Sequence, residues 1–274
     1  MIKIENLNFK YKREENILKN INLDIKEGEC IAIVGKNGSG KSTFAKLIAG
    51  IMKPTKGDVS IDDINTKNKH EYINLRKKIG IVFQNPENQI LFNNLDDEIS
   101  FALNNLNLDN KELRINEALK KVKIEKEKIG DLDELSLGQK QRIAIAGVLA
   151  INPKYIVLDE PTTMIDSEGK DAVYSIIKEL KEAGYTIIYI TNNTEEILLA
   201  DKVIILNEGQ IVDTIKRSEI VEKTEILKKY NLKVPTAITI LEKLKKNNIN
   251  IDVENLCIDD IISKIIEKVK EWKM

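Results

Sequence analysis

Apolar and polar residues alternate from Ile2 to Lys10, with Ile2, Ile4, Leu7 and Phe9 on one side, and less cleanly from Ile17 to Ile25. A period of two buries one face of a strand and leaves the other to solvent, so both stretches predict antiparallel strands covering one side of a core. The pattern then changes to unbroken apolar runs at Cys30 to Val34, Ile79 to Phe83, Tyr155 to Leu158 and Thr186 to Ile190. Short runs without a polar face predict strands buried on both sides, as in a parallel sheet. Helical spacing lies between them: Phe44, Leu47 and Ile48, a charged segment near Glu71 to Lys78, Leu95 to Leu106, Lys111 to Val122, Lys140 to Ile151 before Asn152-Pro153, and Gly169 to Ala183. Pro54 to Gly57 reads as a turn before a short strand at Asp58 to Ile61, and Lys202 to Leu206 pairs with Gln210 to Thr214 around Asn207-Glu208-Gly209 as a hairpin. Residues 85 to 134 read as a helical insertion whose mixed charges form a solvated face.

The C-terminal stretch has a pattern of its own. Leu256, Ile258, Ile261, Ile262, Ile265, Ile266, Val269 and Trp272 recur at steps of mostly three and four, which predicts a helix with one broad apolar stripe and Lys and Glu opposite. The stripe must be covered, either by the chain's own body or by another chain. Its mixed charges argue against a helix lying on a membrane surface.

Composition narrows the classes. A chain of 274 residues can bury a full α/β core and leave a smaller piece over. Lys+Arg 43 against Asp+Glu 44 gives a formal charge of -1, which offers no general attraction for nucleic acid or anionic lipid. The longest apolar run, Ile143 to Ile151, is far short of the ~20 residues a membrane span needs. Met1 leads directly into charged, strand-like sequence rather than a signal peptide, so a soluble cytoplasmic chain is expected. Two cysteines, Cys30 and Cys257, suggest reduced thiols in that compartment, Cys30 as a small core residue.

The candidate chemistry sits where these elements join. Gly35, Lys36, Asn37, Gly38, Ser39, Gly40, Lys41 and Ser42 fit the P-loop pattern at every specified position, between a buried strand and a helix as that pattern requires. Inward-facing amides and the positive end of the helix dipole would hold phosphates, Lys41 would meet the β- and γ-phosphates, and Ser42 would ligate Mg²⁺. Thr43, next in the helix, is grouped with the nucleotide-binding residues. The strand Tyr155 to Leu158 ends in Asp159-Glu160, two acids delivered to the crevice where the P-loop opens. Asp159 would hold Mg²⁺, usually through water, and Glu160 would polarise the attacking water. Gln84 stands at the exit of another buried strand. Ser136 and Gly138, in Leu135-Ser136-Leu137-Gly138-Gln139, precede a helix and form a second potential anion site, with a simple N-cap as the alternative for Ser136. Tyr11 closes the first strand, either to stack on a purine ring or to pack on its neighbours.

Glycine-rich loop, exit glutamine, Leu-Ser-x-Gly-Gln and strand-Asp-Glu stand in the order and spacing of the ATP-binding-cassette (ABC) ATPases, and the resemblance covers about residues 1 to 220. It implies an α/β P-loop NTPase fold with an N-terminal antiparallel β subdomain, a helical signature subdomain at about 86–150, and a small C-terminal helical extension at 221–274. It implies ATP and Mg²⁺ as ligands and a second cassette as partner. Ser136 and Gly138 resemble signature residues that contact the γ-phosphate held by the other chain, and Gln139 of the same motif is grouped with the nucleotide-binding residues. Asp166 resembles the acid linking the two sites, Gln84 the residue that senses γ-phosphate and Mg²⁺, and Tyr11 the adenine-stacking aromatic. Phe83 to Gln89, Ile143 to Ala150 and Thr163 to Asp166 look like the ATPase subunits of energy-coupling-factor importers, the cobalt-type cassettes. This implies a place on the cytoplasmic face of the membrane, a transmembrane coupling protein, a small membrane protein that captures a vitamin or metal ion, and no nucleic acid. Leu232 to Pro235 and the helix after it resemble those cassettes' C-terminal extension, which contributes to dimerisation.

Two departures stand out. Leu137 replaces the usual signature glycine, which is expected to put bulk close to the partner's nucleotide. Asn192 stands where the family carries its switch histidine, and the one histidine, His70, matches no family motif. Asparagine donates a hydrogen bond to phosphate but is not protonated as imidazole is, so a slowed site and a partner cassette that keeps the histidine are expected.

Overall fold

The two alternating stretches form β1 (Ile2–Phe9) and β2 (Leu18–Ile25), antiparallel, with Ile2 opposite Ile25 and Ile4 opposite Leu23. The structure is a computed structural model that describes residues 1–12, 15–251, 256 and 258–273. After β3 (Cys30–Val34) and helix α1 (Lys41–Ile48), β4 (Lys56–Ile61) pairs with β1 and β5 (Ile64–Asn65) with β4, completing a sheet in the order β2-β1-β4-β5. Helix α2 (Tyr72–Lys78) then leads into β6 (Ile79–Val82).

The insertion is helical: α3 (Leu95–Asn105), α4 (Lys111–Lys121) and α5 (Leu137–Ala150). α5 starts three residues earlier than its apolar period predicts. The cause is a capping box, in which the Ser136 hydroxyl accepts from the Gln139 amide and the Gln139 side chain accepts from the Ser136 amide. The chain continues through β7 (Tyr155–Asp159), α6 (Ser167–Glu182), β8 (Thr186–Thr191), β9 (Lys202–Asn207) and β10 (Gln210–Lys216). It ends in α7 (Thr224–Lys229), α8 (Thr236–Lys246) and α9 (Ile258–Lys273).

The core sheet runs β10-β9-β3-β8-β7-β6, parallel except for the hairpin strand β10. Alternate residues of its buried strands feed two separate clusters. Ile31, Ile33, Tyr155, Val157, Ile188 and Ile190 pack with α1 and the antiparallel sheet. Ala32, Val34, Ile156, Leu158, Ile187 and Tyr189 pack with α3 to α6. Apolar cover on both faces is what the unbroken runs require. Register aligns their carboxyl ends: Val34 lies opposite Thr191, Asp159 opposite Ile190, and Val82 opposite Leu158. The segments after β3, β6, β7 and β8 therefore open at one edge.

Leu227, Ala237, Ile238, Leu241 and Ile261 of the C-terminal helices join the second cluster. The stripe of α9 is divided: Leu256 and Ile261 are buried and Ile265 packs beside them, whereas Ile258, Ile262, Ile266 and Val269 are exposed. Cys257 and the Trp272 side chain lie outside the described residues. Burial pushes the Cys30 thiol up to about 12, which leaves it inert. No helix among the described residues is long and apolar enough to cross a membrane.

Candidate nucleotide site

The loop between β3 and α1 is shaped by its glycines. A Cβ on Gly35 would lie 2.1 Å from the Leu206 carbonyl oxygen, so no side chain fits where the loop leaves the sheet. Gly40 caps α1 at φ +100°, a left-handed conformation, and no side chain caps the helix. The first-turn amides and the positive helix end thus face the loop's mouth, a setting that favours an anion. Ser39 adds a buried hydroxyl with no hydrogen-bond partner among the described residues.

Lys41 is buried and spans the loop, its Nζ donating to the carbonyls of Gly35 at 2.9 Å and Lys36 at 3.2 Å. Burial lowers its pKa below the usual lysine value, and Glu160 and Asp159 oppose that shift. Ser42 Oγ donates to Asp159 Oδ1 at 3.1 Å, joining residues 117 positions apart. Burial raises the Asp159 pKa against the effect of that bond. Serine, one carboxylate and the nearby Gln84 amide make a sparse, oxygen-rich donor set, which fits Mg²⁺ completed by phosphate and water. The described residues hold no cluster of three or more His, Cys, Asp or Glu that would suit a metal held by protein alone.

Glu160 is held from two sides. Its Oε2 accepts from Gln84 Nε2 at 3.2 Å, Thr163 Oγ1 at 3.3 Å and Asn192 Nδ2 at 3.4 Å, while Oε1 lies 3.7 Å from Lys41 Nζ. Its backbone has φ +49°, a left-handed conformation that is strained for a residue with a side chain, and its amide donates to the Ile190 carbonyl of β8. Three donors on one oxygen fix a carboxylate beside the phosphate loop, the placement required of a group that orients and polarises water. Sequence reasoning missed Thr163, whose only signal is a hydroxyl three residues after the acid.

Tyr11 stands at the rim with its ring exposed, edge-on to Phe9 with centroids 5.0 Å apart, and its hydroxyl 3.3 Å from Thr43 Oγ1. The P-loop, Thr43, Tyr11, Gln84, Asp159, Glu160 and Asn192 thus form one site. Ser136, Gly138, Gln139 and Asp166 form another. Gly138 opposes Gly169, where a Cβ would lie 3.2 Å from the glycine Cα and 3.9 Å from Asp166 Oδ1, and Asp166 caps α6 through the Gly169 amide. Ser136 is an N-cap and is also exposed. Leu137 is half-buried and packs against the chain's own core.

The family model described as ABC transporter matches residues 18–163, a span that holds the P-loop, Gln84, Ser136 to Gln139 and Asp159-Glu160. The chain is an ABC transporter family member. The cassette is 44% identical over 255 residues, 92% of its length and 90% of the relative's, to the energy-coupling factor transporter ATP-binding protein EcfA1 of Ligilactobacillus salivarius (strain UCC118). Among solved structures it is similar to cbiO1 of Clostridium perfringens, part of the ABC transporter complex cbiONQ, at TM-score 0.73 and 36% identity, covering 88% of this chain and 98% of that one. It is also similar to a dimeric post-hydrolysis state of the ATP-binding cassette MJ0796 bound to ADP and Pi, at TM-score 0.71 and 34% identity, covering 79% and 99%. The cassette is an ATPase that uses ATP with Mg²⁺.

Proposed function

We propose that this cassette is the motor subunit of an energy-coupling-factor importer, hydrolysing ATP on the cytoplasmic face of the membrane to drive a transmembrane coupling protein. A small membrane protein beside the coupling protein would capture the vitamin or metal ion that is taken up. Two cassettes close head to tail, so that Ser136, Gly138 and Gln139 of one reach the γ-phosphate on the P-loop of the other, with Asp166 between the sites. Within each site Lys41 and the loop amides hold the phosphates, and Tyr11 stacks on adenine. Glu160 takes a proton from the attacking water while Gln84 and Asn192 hold the acid and face the γ-phosphate. Ser42, Asp159 and Gln84 would hold Mg²⁺, which would supply positive charge against that of the phosphates. The observation that carries this reading is the convergence of Gln84, Thr163 and Asn192 on Glu160 Oε2, next to Lys41.

The membrane partner is supported by an apolar patch that follows Gln84. Leu91, Phe92 and Phe101 are exposed, the two rings 5.4 Å apart, on the helical insertion. The tagged full chain should recover a polytopic membrane protein from detergent extracts of its own cells, and Phe92→Glu should lose that partner while still binding MgATP. Recovery of ribosomes or DNA ends without any membrane protein would reverse the assignment. Asn192 favours one refinement, pairing with a second, histidine-bearing cassette that carries most of the turnover.

A further inference from the structure

A second carboxylate lies behind Glu160, and none of the steps above uses it. Glu196 belongs to the short 3-10 segment Thr194–Leu199 that follows β8, and it is only 6% exposed. Its Oε1 accepts from the Thr162 hydroxyl at 2.5 Å and from Asn193 Nδ2 at 3.4 Å. Its Oε2 accepts from the Thr191 hydroxyl at 2.5 Å. No ion pair joins it to a described lysine or arginine, so a buried acid is held by neutral donors alone. An anionic acceptor strengthens each of these bonds, and burial keeps water from competing for them.

What matters is where those donors sit. Thr162 immediately precedes Thr163, and Thr191 immediately precedes Asn192, and Thr163 and Asn192 are two of the three donors on Glu160 Oε2. Thr191 Oγ1 also accepts from the Asn193 amide at 2.9 Å, so the backbone is pinned on both sides of Asn192. Thr162 and Thr191 are themselves 4% and 2% exposed. The two segments come from different strand ends, β7 and β8, and Glu196 is the side chain that bonds to both.

We propose that Glu196 is a positioning residue for ATP hydrolysis: it ties the exit of β8 to the segment after Glu160 and so fixes the two donors that hold the water-activating carboxylate. This rests on the reading of Glu160 as that group. Glu196 bonds to Thr162, Thr191 and Asn193 rather than to Glu160, and it acts through Thr163 and Asn192. Replacing its carboxylate by an amide puts a donor where one hydroxyl needs an acceptor, and the clamp slackens without loss of volume. Small misplacement of a reacting group is enough to slow chemistry by up to about 100-fold.

The test compares single-turnover hydrolysis, MgATP affinity and thermal midpoint in the full chain for Glu196→Gln, Thr162→Val and Thr162→Ser, with Glu160→Gln as reference. Glu196→Gln and Thr162→Val are expected to bind MgATP within about twofold of wild type and to hydrolyse it about 10-fold or more slowly, at an unchanged midpoint. Thr162→Ser, which keeps the hydroxyl, should restore the rate. In an Asn192→Ala background the further change Glu196→Gln should cost much less than it does alone, because the two act in one chain of contacts. Wild-type rates for Glu196→Gln and Thr162→Val, fully additive losses in the double variant, or rate loss that only follows a fall in midpoint and MgATP affinity would each overturn the proposal. An unchanged rate for Glu160→Gln would instead overturn the underlying reading of the site, whatever Glu196 does.

Discussion

Asn192 is the residue at which this cassette departs most from what its family resemblance implies, and its surroundings limit what it can do. Its amide donates to Glu160 at 3.4 Å, and an amide carries no titratable proton near neutral pH. Imidazole at that place would add a group that can hold a positive charge beside the γ-phosphate. Asn192→His is therefore expected to raise steady-state ATP turnover of the purified cassette several-fold with little change in MgATP affinity, as measured by coupled phosphate release and calorimetry. Equal turnover in the two proteins would show that asparagine already suffices. Among single residues, the P-loop and Asp159-Glu160 were legible in the sequence because each joins a buried strand to a residue pattern that chemistry requires. The φ of +49° at Glu160 was not, since nothing in Leu158-Asp159-Glu160-Pro161 signals a left-handed turn. Glu196 was hidden for a related reason: its threonine partners are 34 and 5 residues away, and their approach is a property of strand register rather than of local sequence.

At the scale of elements, α5 carries two glycines with opposite roles. Gly138 lies in the first turn against Gly169 of α6, where an added methyl group would lie 3.2 Å from the glycine Cα, whereas Gly147 faces open space. Gly138→Ala should cost about 1–3 kcal/mol through overpacking, and Gly147→Ala should gain about 0.5–1 kcal/mol through reduced backbone freedom in the unfolded chain. Urea unfolding of the two variants checks both signs. A neutral Gly138→Ala would mean that α5 and α6 can separate without cost, and the signature residues would lose their fixed relation to Asp166. Most element boundaries followed from periodicity, and the capping box that lengthened α5 was written in Ser136 and Gln139. Periodicity also revealed the stripe on α9. Which half of it would be covered was beyond its reach, because Ile261 and Ile262 are equivalent in a sequence pattern and differ only in which one faces the body.

At the scale of the whole molecule, the two sheets are fastened at Asp62, in the turn between β4 and β5. Its carboxylate accepts from the Met1 amine at 2.6 Å, from Tyr155 Oη at 2.6 Å, from Lys78 at 3.1 Å and from Lys154 at 3.2 Å. Burial alone would raise its pKa, but these donors outweigh burial and hold it well below the usual carboxylate range. A depressed folded-state pKa stabilises the fold above the unfolded value near 3.8, and that stabilisation is lost as pH falls through the lower folded value. Asp62→Asn keeps the left-handed backbone at φ +44°, which asparagine tolerates, and removes the charge. It is expected to cost about 1–2 kcal/mol at pH 7, limited by the solvent that reaches one side. The deficit should close as pH is lowered below the ordinary aspartate range, and a deficit that persists there would exclude this electrostatic account. The parallel order of the core sheet could be anticipated from its apolar runs. The junction at Asp62 could not, because its partners come from three separate regions of the chain.

The central claim is that ATP held by the loop from Gly35 to Ser42 is hydrolysed by water that Glu160 activates. Single-turnover hydrolysis by Glu160→Gln, with MgATP binding measured on the same protein, tests it most directly. The account predicts wild-type affinity, a rate reduced by at least about 100-fold, and accumulation of an ATP-loaded closed dimer. Hydrolysis at the wild-type rate, or well-folded wild-type protein that does not bind MgATP, would contradict it.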